Sequence, residues 1–327
     1  MRRARHPSRH RQTSRPRGAA LLVAMVLLTV VATLSAGMVW QQWRAIQVEA
    51  AERSRSQSAW ILMGALDWAR LILREQRLEH VSLNDTWAQP LAEARLSTFL
   101  AADRDNNADT GPEAFLSGHI VDAQSRYNLR WLVQTDPAAA AAELKVLERL
   151  CQLGGLPASL AGQIAQGLKA TAGADASTPL APVRLDDLAW LGLDSTSLAV
   201  LRPWVLLMPA TTTTPLTTPV NLNTAPREVL AAVVKGIDLG LADSLVQARQ
   251  RTPFRTLADV ENLLPAASKP LDPQRVDVKS AYFEVHGRLR LEERVLEELS
   301  LVHKRSANEV VTLQRQRRST VLPSTPG

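Results

Sequence analysis

The side chains that could do chemistry are scattered along this chain. Its six histidines do not combine with acids or a cysteine at any metal-binding spacing, and two of them lie within the first ten residues. HExxH, P-loop and GxSxG motifs are all missing from the sequence. The single cysteine, Cys151, lies in an apolar helical context without a recognisable histidine beside it, which indicates a buried structural thiol. We therefore predict no enzymatic activity, no catalytic residues and no small-molecule substrate.

One short cluster of oxygen ligands is the exception. Residues 103–109 place side-chain oxygens at alternate positions, on Asp103, Asp105, Asn107 and Asp109. This is the spacing with which a loop wraps calcium, but Ala108 stands where such loops have glycine and no glutamate follows at the twelfth position. The cluster is therefore either a calcium site or a solvated acidic loop. Calcium is the one cofactor that the sequence suggests.

The charge of the chain is concentrated at its N-terminus. Seven arginines and no acid lie in the first 18 residues, while the formal net charge of the whole chain is +6. The remainder therefore carries a net charge of −1, and the basic isoelectric point belongs to the leader. The body is close to neutral, so the basic isoelectric point does not indicate a nucleic-acid partner.

An apolar span follows the basic leader. Residues 18–43 contain no charged side chain, and about 20 apolar residues suffice to span a bilayer as a helix. Trp40 and Trp43 lie at its far end on one helical face, where indoles occupy the headgroup boundary. The arginines before the span predict a cytoplasmic N-terminus, a single pass through the inner membrane and a periplasmic body.

The processing signal stands before the apolar run, not after it. A basic leader, then Gly18, then an uninterrupted apolar helix from Ala19 resembles the class III signal of type IV pilins and pseudopilins; the alternative is an uncleaved signal anchor. We predict cleavage between Gly18 and Ala19. Pilin-like subunits normally carry glutamate at the fifth mature residue, which is Val23 here. Without that carboxylate, the subunit is best placed at an end of a filament.

The same helix continues beyond the membrane. No proline occurs between Pro16 and Pro90, and apolar residues recur with a helical period between Ile61 and Leu73. Further along, residues 119–133 predict two strands joined by a turn over residues 122–125. Helices are expected from the Asp136 N-cap to Gly154, at about 157–170, 185–191 and 195–207, and near 241–250. The strands at 281–291, 294–303 and 309–315 predict an antiparallel meander that covers the apolar stripe of the helix.

Residues 219–265 resemble a helix-hairpin-helix module, with Asn223 or Thr224 as a helix cap and a capping box from Thr256 to Asp259. Such modules bind phosphate through net positive charge. This stretch holds five basic and five acidic residues. We predict a structural or protein-binding module and no nucleic acid partner, with a membrane-tethered DNA receptor as the alternative.

Several motifs in a fixed order carry a wider resemblance. They are the leader, the long helix, Asp122-Ala-Gln-Ser-Arg-Tyr-Asn128, Val220-Asn-Leu-Asn-Thr-Ala225 and Ser280-Ala-Tyr-Phe283. In this order they resemble the protein K family, the large minor pseudopilins of the type II secretion (general secretion) pathway. Ala19 differs from the first mature residue of most pilins, which is more commonly phenylalanine or methionine.

The resemblance implies an α+β fold in which a long pilin-like N-terminal helix packs on a small antiparallel sheet, with a large all-helical insertion of SAM-like or helix-hairpin-helix-like type. The expected segments are the leader (1–18), the transmembrane (19–43) and periplasmic (44–80) halves of the helix, a first pilin-like part with a strand hairpin (81–135), the insertion (136–275), a second pilin-like part with the meander (276–315) and a flexible tail (316–327).

The implied role is at the pseudopilus tip, where the subunit starts assembly together with minor pseudopilins I and J and supports export of folded proteins across the outer membrane. A prepilin peptidase is the implied processing partner. A minor pilin of a type IV pilus is the alternative within the same architecture.

Overall fold

The computed structural model describes residues 17–76, 79–96, 114–171, 180–209, 217–291 and 294–321. The chain divides into two compact units, Met1–Ala59 and Trp60–Gly327. The first unit contains most of helix α1, which runs over Arg17–Glu75. Large apolar side chains from Leu21 to Trp43 are exposed on it. By length and composition α1 could cross a membrane, a property that core helices and signal sequences share.

The last turns of α1, from Trp60 onward, pack on a sheet within the second unit. Leu62, Leu66, Ala69 and Leu73 are buried at helical spacing, which confirms the predicted stripe. They face cores that include Phe283 and Leu289 on the sheet. Trp68, which the helical period also includes in the stripe, is 48% exposed, because it lies at the border of the contact face.

The main sheet consists of β1 (Leu91–Arg95), β2 (Ala114–Asp122), β7 (Tyr282–Leu291), β8 (Arg294–Lys304) and β9 (Val310–Val321). These five strands are all antiparallel and lie in the order β1-β2-β7-β8-β9. The three-stranded meander predicted near the C-terminus is confirmed as β7-β8-β9. The flexible tail predicted from residue 316 is wrong in its first part, because β9 stays paired with β8 as far as Val321.

The turn predicted over residues 122–125 and a strand on each side of it are confirmed, but the pairing of these two strands as a hairpin is wrong. After β2 the chain makes a 3-10 turn at Ala123–Ser125, and the short β3 (Tyr127–Asn128) pairs in parallel with β4 (Val205–Leu206). The Asp122 side chain accepts a hydrogen bond from the Gln124 amide and turns the chain out of the sheet. The antiparallel partners of β2 are β1, which the sequence did not predict, and β7.

The middle of the chain is mostly helical and has its own large apolar core. The helices are Pro137–Leu153, Ser159–Ala170, Ser195–Leu201, Arg227–Val233, Leu239–Arg251 and Leu257–Glu261, with a 3-10 helix at Leu185–Leu191. The Asp136 N-cap and the capping box between Thr256 and Asp259 are confirmed. The helix expected over 195–207 is too long, since Val205 and Leu206 form β4. The short strands β5 (Val220–Asn221) and β6 (Val276–Asp277) pair in parallel.

Candidate functional site

Three segments that the sequence singled out converge on one buried carboxylate. Asp122 stands at the end of β2 and is 1% exposed. Its Oδ2 accepts hydrogen bonds from Ser280 Oγ at 2.6 Å, Thr224 Oγ1 at 2.6 Å and Asn221 Nδ2 at 2.9 Å. Its Oδ1 accepts from the Gln124 amide at 2.8 Å. The Asp122 carboxylate thus connects the main sheet, the helical region and the segment at residue 280 that leads into β7.

Asn221 extends this junction to the chain that follows α1. Its Nδ2 also lies 3.1 Å from the Val81 carbonyl, and its Oδ1 accepts from the Asn223 amide at 2.9 Å. The Val81 amide in turn donates to the Val278 carbonyl at 2.9 Å. Because Asn221 is completely buried, these donors and acceptors have no bulk water to replace them. We call Asp122, Asn221, Thr224 and Ser280 the junction cluster.

Two neighbouring amide side chains fix the segments on either side. Gln124 accepts from the Ala281 amide at 2.7 Å and donates to the Pro219 carbonyl at 2.9 Å. Asn223 makes both a donor and an acceptor bond to the backbone of Phe254, at 2.8 and 2.9 Å. The prediction that Asn223 or Thr224 caps a helix is wrong, because both side chains are used in these tertiary bonds. The helix begins instead at Arg227, after Pro226.

The electrostatics of the junction cluster are those of a structural site. Burial raises the pKa of the Asp122 carboxyl, and the bonds from Ser280, Thr224 and Asn221 oppose that rise. The groups bonded to this carboxylate all donate to it, so its lone pairs are occupied. Because the acid is almost completely buried, the arrangement holds three segments together and does not present a reactive group to a substrate.

A second buried ionic group lies nearby in the helical region. Tyr127 donates to Glu143 Oε2 at 2.9 Å, and Arg275 lies 2.9 Å from Glu143 Oε1. Burial, then the Glu143 charge, raises the pKa of the Tyr127 hydroxyl well above its ordinary value. The tyrosine of the Asp122–Asn128 motif is therefore a neutral hydrogen-bond donor.

Lys304 fixes the end of α1 to the end of β8. Its side chain is buried, and its Nζ donates to the Leu73 carbonyl at 2.5 Å and also to the Gln76 carbonyl. Carbonyls at the end of a helix lack partners within it, and a cation there also suits the helix dipole. Burial lowers the pKa of the Lys304 ammonium. The sequence offers one signal for this contact, a lysine that ends an otherwise apolar stretch of strand.

The face of the sheet opposite α1 forms one wall of an open cleft of about 620 Å³. Residues around Arg184, Asp186 and Arg202 form the other wall. On the sheet, His119 and His286 pair across β2 and β7 with their rings stacked at 4.4 Å. The lining combines apolar side chains, such as Leu185 and Leu299, with acids and arginines in pairs.

Glu284 carries the strongest electrostatic feature of this cleft. It lies 2.6 Å from Arg126 and 3.6 Å from His286. Burial raises its pKa, but the bond from His286 and the Arg126 charge outweigh burial and lower it to about 2. Burial and then the charge of His286 lower the pKa of His119. Over the described part of the chain, no three His, Cys, Asp or Glu side chains are placed to hold a metal.

The other predicted site residues do not join these clusters. Val23, Trp40 and Trp43 are exposed on α1, with the Arg44 guanidinium 5.6 Å from the Trp40 ring. Gly18 and Ala19 fall in the first turn of α1. The calcium candidates Asp103, Asp105, Asn107 and Asp109 lie outside the described residues. Cys151 is buried as predicted, and burial, then the Glu148 charge, raises its pKa to about 11.

Comparison with known proteins shows what this chain is similar to. Residues 220–279, which contribute Asn221 and Thr224 to the junction cluster, match the family model "Type II secretion system (T2SS), protein K". A curated relative, "Type II secretion system protein K" from Pseudomonas aeruginosa, is 28% identical over an alignment of 302 positions that covers 85% of each chain.

A solved structure shares the fold. The crystal structure of the GspK-GspI-GspJ complex from the enterotoxigenic Escherichia coli type 2 secretion system contains a chain that superposes with a TM-score of 0.62 at 18% identity. The match covers 82% of this chain and 98% of that one.

Proposed function

We infer that this chain, which belongs to the protein K family of the type II secretion system, is a minor pseudopilin at the tip of the pseudopilus. The observation that carries the family is the match to a type II secretion protein K across 85% of both chains. The long N-terminal helix and the antiparallel sheet agree with that role. The position at the tip is our proposal.

The N-terminal region supports the proposal of a processed, single-pass inner-membrane protein. A prepilin peptidase would cut after Gly18, leaving Ala19 as the first residue of an apolar helix. Trp40 and Trp43 would then lie at the periplasmic headgroup boundary. The arginine-rich leader before the span favours a cytoplasmic N-terminus and a periplasmic second unit.

Val23 supports a position at the end of the filament. A carboxylate buried among apolar helices is tolerated only with a partner charge, such as a neighbour's N-terminal ammonium. A subunit with valine at this position forms no such pair. The missing ion pair costs least at the end of the filament, where the subunit has a neighbour on one side only. From that position it starts assembly of the pseudopilus and supports export of folded proteins.

The proposed partners are minor pseudopilins I and J, because the structural relative is a complex of that composition. The test is co-expression of the full-length chain with both partners in membranes, followed by detergent extraction and affinity purification through a tag on this chain. Recovery of both partners in constant proportion supports the proposal. If neither partner co-purifies while the chain itself is folded, the tip role is wrong.

Calcium binding at Asp103, Asp105, Asn107 and Asp109 remains a proposal that rests on alternate oxygen spacing alone. Isothermal titration of the detergent-solubilised chain with calcium tests it. The matched control replaces Asp103 and Asp105 by Asn, which removes two charges and keeps the side-chain shape. Heat from the parent that the variant lacks supports the site; equal heats, or none, overturn it.

A further inference from the structure

The last strand, β9, forms a long free edge of the sheet. It spans the 12 residues Val310–Val321, and β8 is its neighbour on one side. Over the described residues, the sheet order places no strand on its other side. Arg317 to Thr320 are exposed. A row of unpaired backbone groups of this length is a template for another strand.

The two edges of the sheet differ in their suitability for such pairing. The opposite edge, β1, is five residues long, follows Pro90 and has an irregular register with β2. Short strands, prolines, bulges and charged side chains are the usual means of preventing strand addition, and of these β9 relies mainly on its charged side chains, which oppose a strand of like charge and not one of opposite charge. β9 contains no proline, and its register with β8 is interrupted only at one point near its start, between Leu301 and Val302 of β8.

The charge of β9 indicates what kind of strand would fit beside it. Residues 310–321 include three arginines and no acid. Arg315 and Arg317 both pair with Glu298, at 3.2 and 2.5 Å. Asp186 is likewise shared by two bases, Arg318 and Arg202. Each of these two acids is thus shared by two arginines, so each group of three side chains carries a net charge of +1.

On its paired side, β9 lies beside a strand of complementary charge, β8. In the ladder with β8, Glu298 stands opposite Arg317 and Glu297 opposite Arg318. Opposite charges facing each other across a ladder stabilise pairing, and like charges oppose it. We propose that the free edge of β9 binds an extended acidic segment of another protein, which adds to the sheet as a sixth strand.

A second copy of this chain fits the edge poorly. In the antiparallel pairing of two β9 strands centred on Gln316, Arg315 of each copy would face Arg317 of the other. This places like charges directly opposite each other at both positions. The arginines therefore select against self-pairing and in favour of an acidic partner.

The test uses the full-length chain in detergent and a fluorescent peptide of about eight alternating glutamate and threonine residues, close to the usual length of a strand. The first control is the same peptide N-methylated at alternate residues, which keeps its charge and blocks backbone pairing. Protein variants are Arg318→Glu, at the edge, and Arg305→Glu, a matched exposed arginine in the turn before β9. Fluorescence anisotropy measures affinity, and amide hydrogen exchange locates the bound peptide.

The proposal expects peptide binding that protects amides of β9 and falls roughly tenfold on N-methylation, since most of the added contacts are backbone hydrogen bonds. Arg318→Glu should weaken binding roughly fivefold while Arg305→Glu leaves it unchanged. Equal binding of the N-methylated peptide, protection outside β9, or no binding would overturn it. So would a disulfide-linked dimer of the Ser319→Cys variant, which would show that a second copy occupies the edge; Cys151 is buried and does not interfere.

Discussion

Asp122 is a carboxylate that accepts hydrogen bonds from four donors, and three of those donors lie about a hundred or more residues away in sequence. Its loss would leave the hydroxyls of Ser280 and Thr224 and the amide of Asn221 buried with fewer partners. Each such group costs about 1–3 kcal/mol. At the scale of single residues, the stability of the second unit therefore depends strongly on this side chain.

We expect Asp122→Ala to lower the free energy of unfolding by about 3–5 kcal/mol, the usual cost of breaking a buried charged network. The matched control is Asp136→Ala, which removes an exposed N-cap and should cost about 1 kcal/mol. Urea denaturation followed by tryptophan fluorescence measures both. Equal losses for the two variants would show that the junction cluster contributes little.

Glu284 makes stability depend on acid pH. Its folded-state pKa of about 2 lies below the ordinary value of 4.5, so folding favours the ionised form. This contribution is complete above pH 4.5 and is lost as the pH falls toward 2. The expected loss is up to about 3 kcal/mol, because each tenfold change in proton affinity corresponds to about 1.4 kcal/mol.

The variant Glu284→Gln should be less stable than the parent at pH 7, where it leaves Arg126 without its charged partner. The difference should narrow steadily between pH 4.5 and pH 2. Thermal denaturation across this range measures it. A constant difference at every pH would mean that the ion pair with Arg126 does not control the titration.

At the scale of elements, the end of α1 depends on a side chain from β8. Lys304→Met keeps the aliphatic length but removes the donors to the Leu73 and Gln76 carbonyls. Charge-assisted bonds of this kind contribute about 1.5–3 kcal/mol, so the last turns of α1 should fray. Hydrogen exchange of residues 66–75 should rise, whereas Lys279→Met, at an exposed position, should leave it unchanged.

If residues 66–75 of the Lys304→Met variant stay as protected as in the parent, packing of Leu66 and Leu73 alone holds the helix end. The two explanations make different predictions for Leu66→Ala, which removes packing and leaves the cap intact. Core truncations of this kind cost about 2–5 kcal/mol.

The elements that the sequence predicted well are those with a strong local period. The stripe of α1 and the alternation of β7 and β8 follow directly from burial on one face. The strand hairpin at 119–133 failed because β3 pairs with Val205–Leu206, a long-range partner with no local signal. β9 extends beyond its apolar start because Arg315 and Arg317 are held by Glu298, so a polar sequence remains a strand.

At the scale of the whole molecule, the motifs are recognisable one by one in the sequence, but their convergence is not. Asp122 and Ser280 are 158 positions apart and share one hydrogen bond. Polar residues such as Asn223 and Thr224 look like helix caps in sequence, because a local cap and a tertiary bond need the same side-chain atoms. Only the folded arrangement distinguishes the two uses.

The predicted N-terminal leader can be tested on the mature protein. In cells with the type II secretion machinery, the mature chain should begin at Ala19 and lack the seven leader arginines. Gly18→Val should retain the full leader, because its β-branched side chain would hinder the peptidase at the cleaved bond. The control Gly37→Ala, further along the same helix, should be processed normally. Intact-mass measurement of the membrane-extracted protein decides between these outcomes. A parent N-terminus at any residue other than Ala19, or normal processing of Gly18→Val, would overturn the predicted leader.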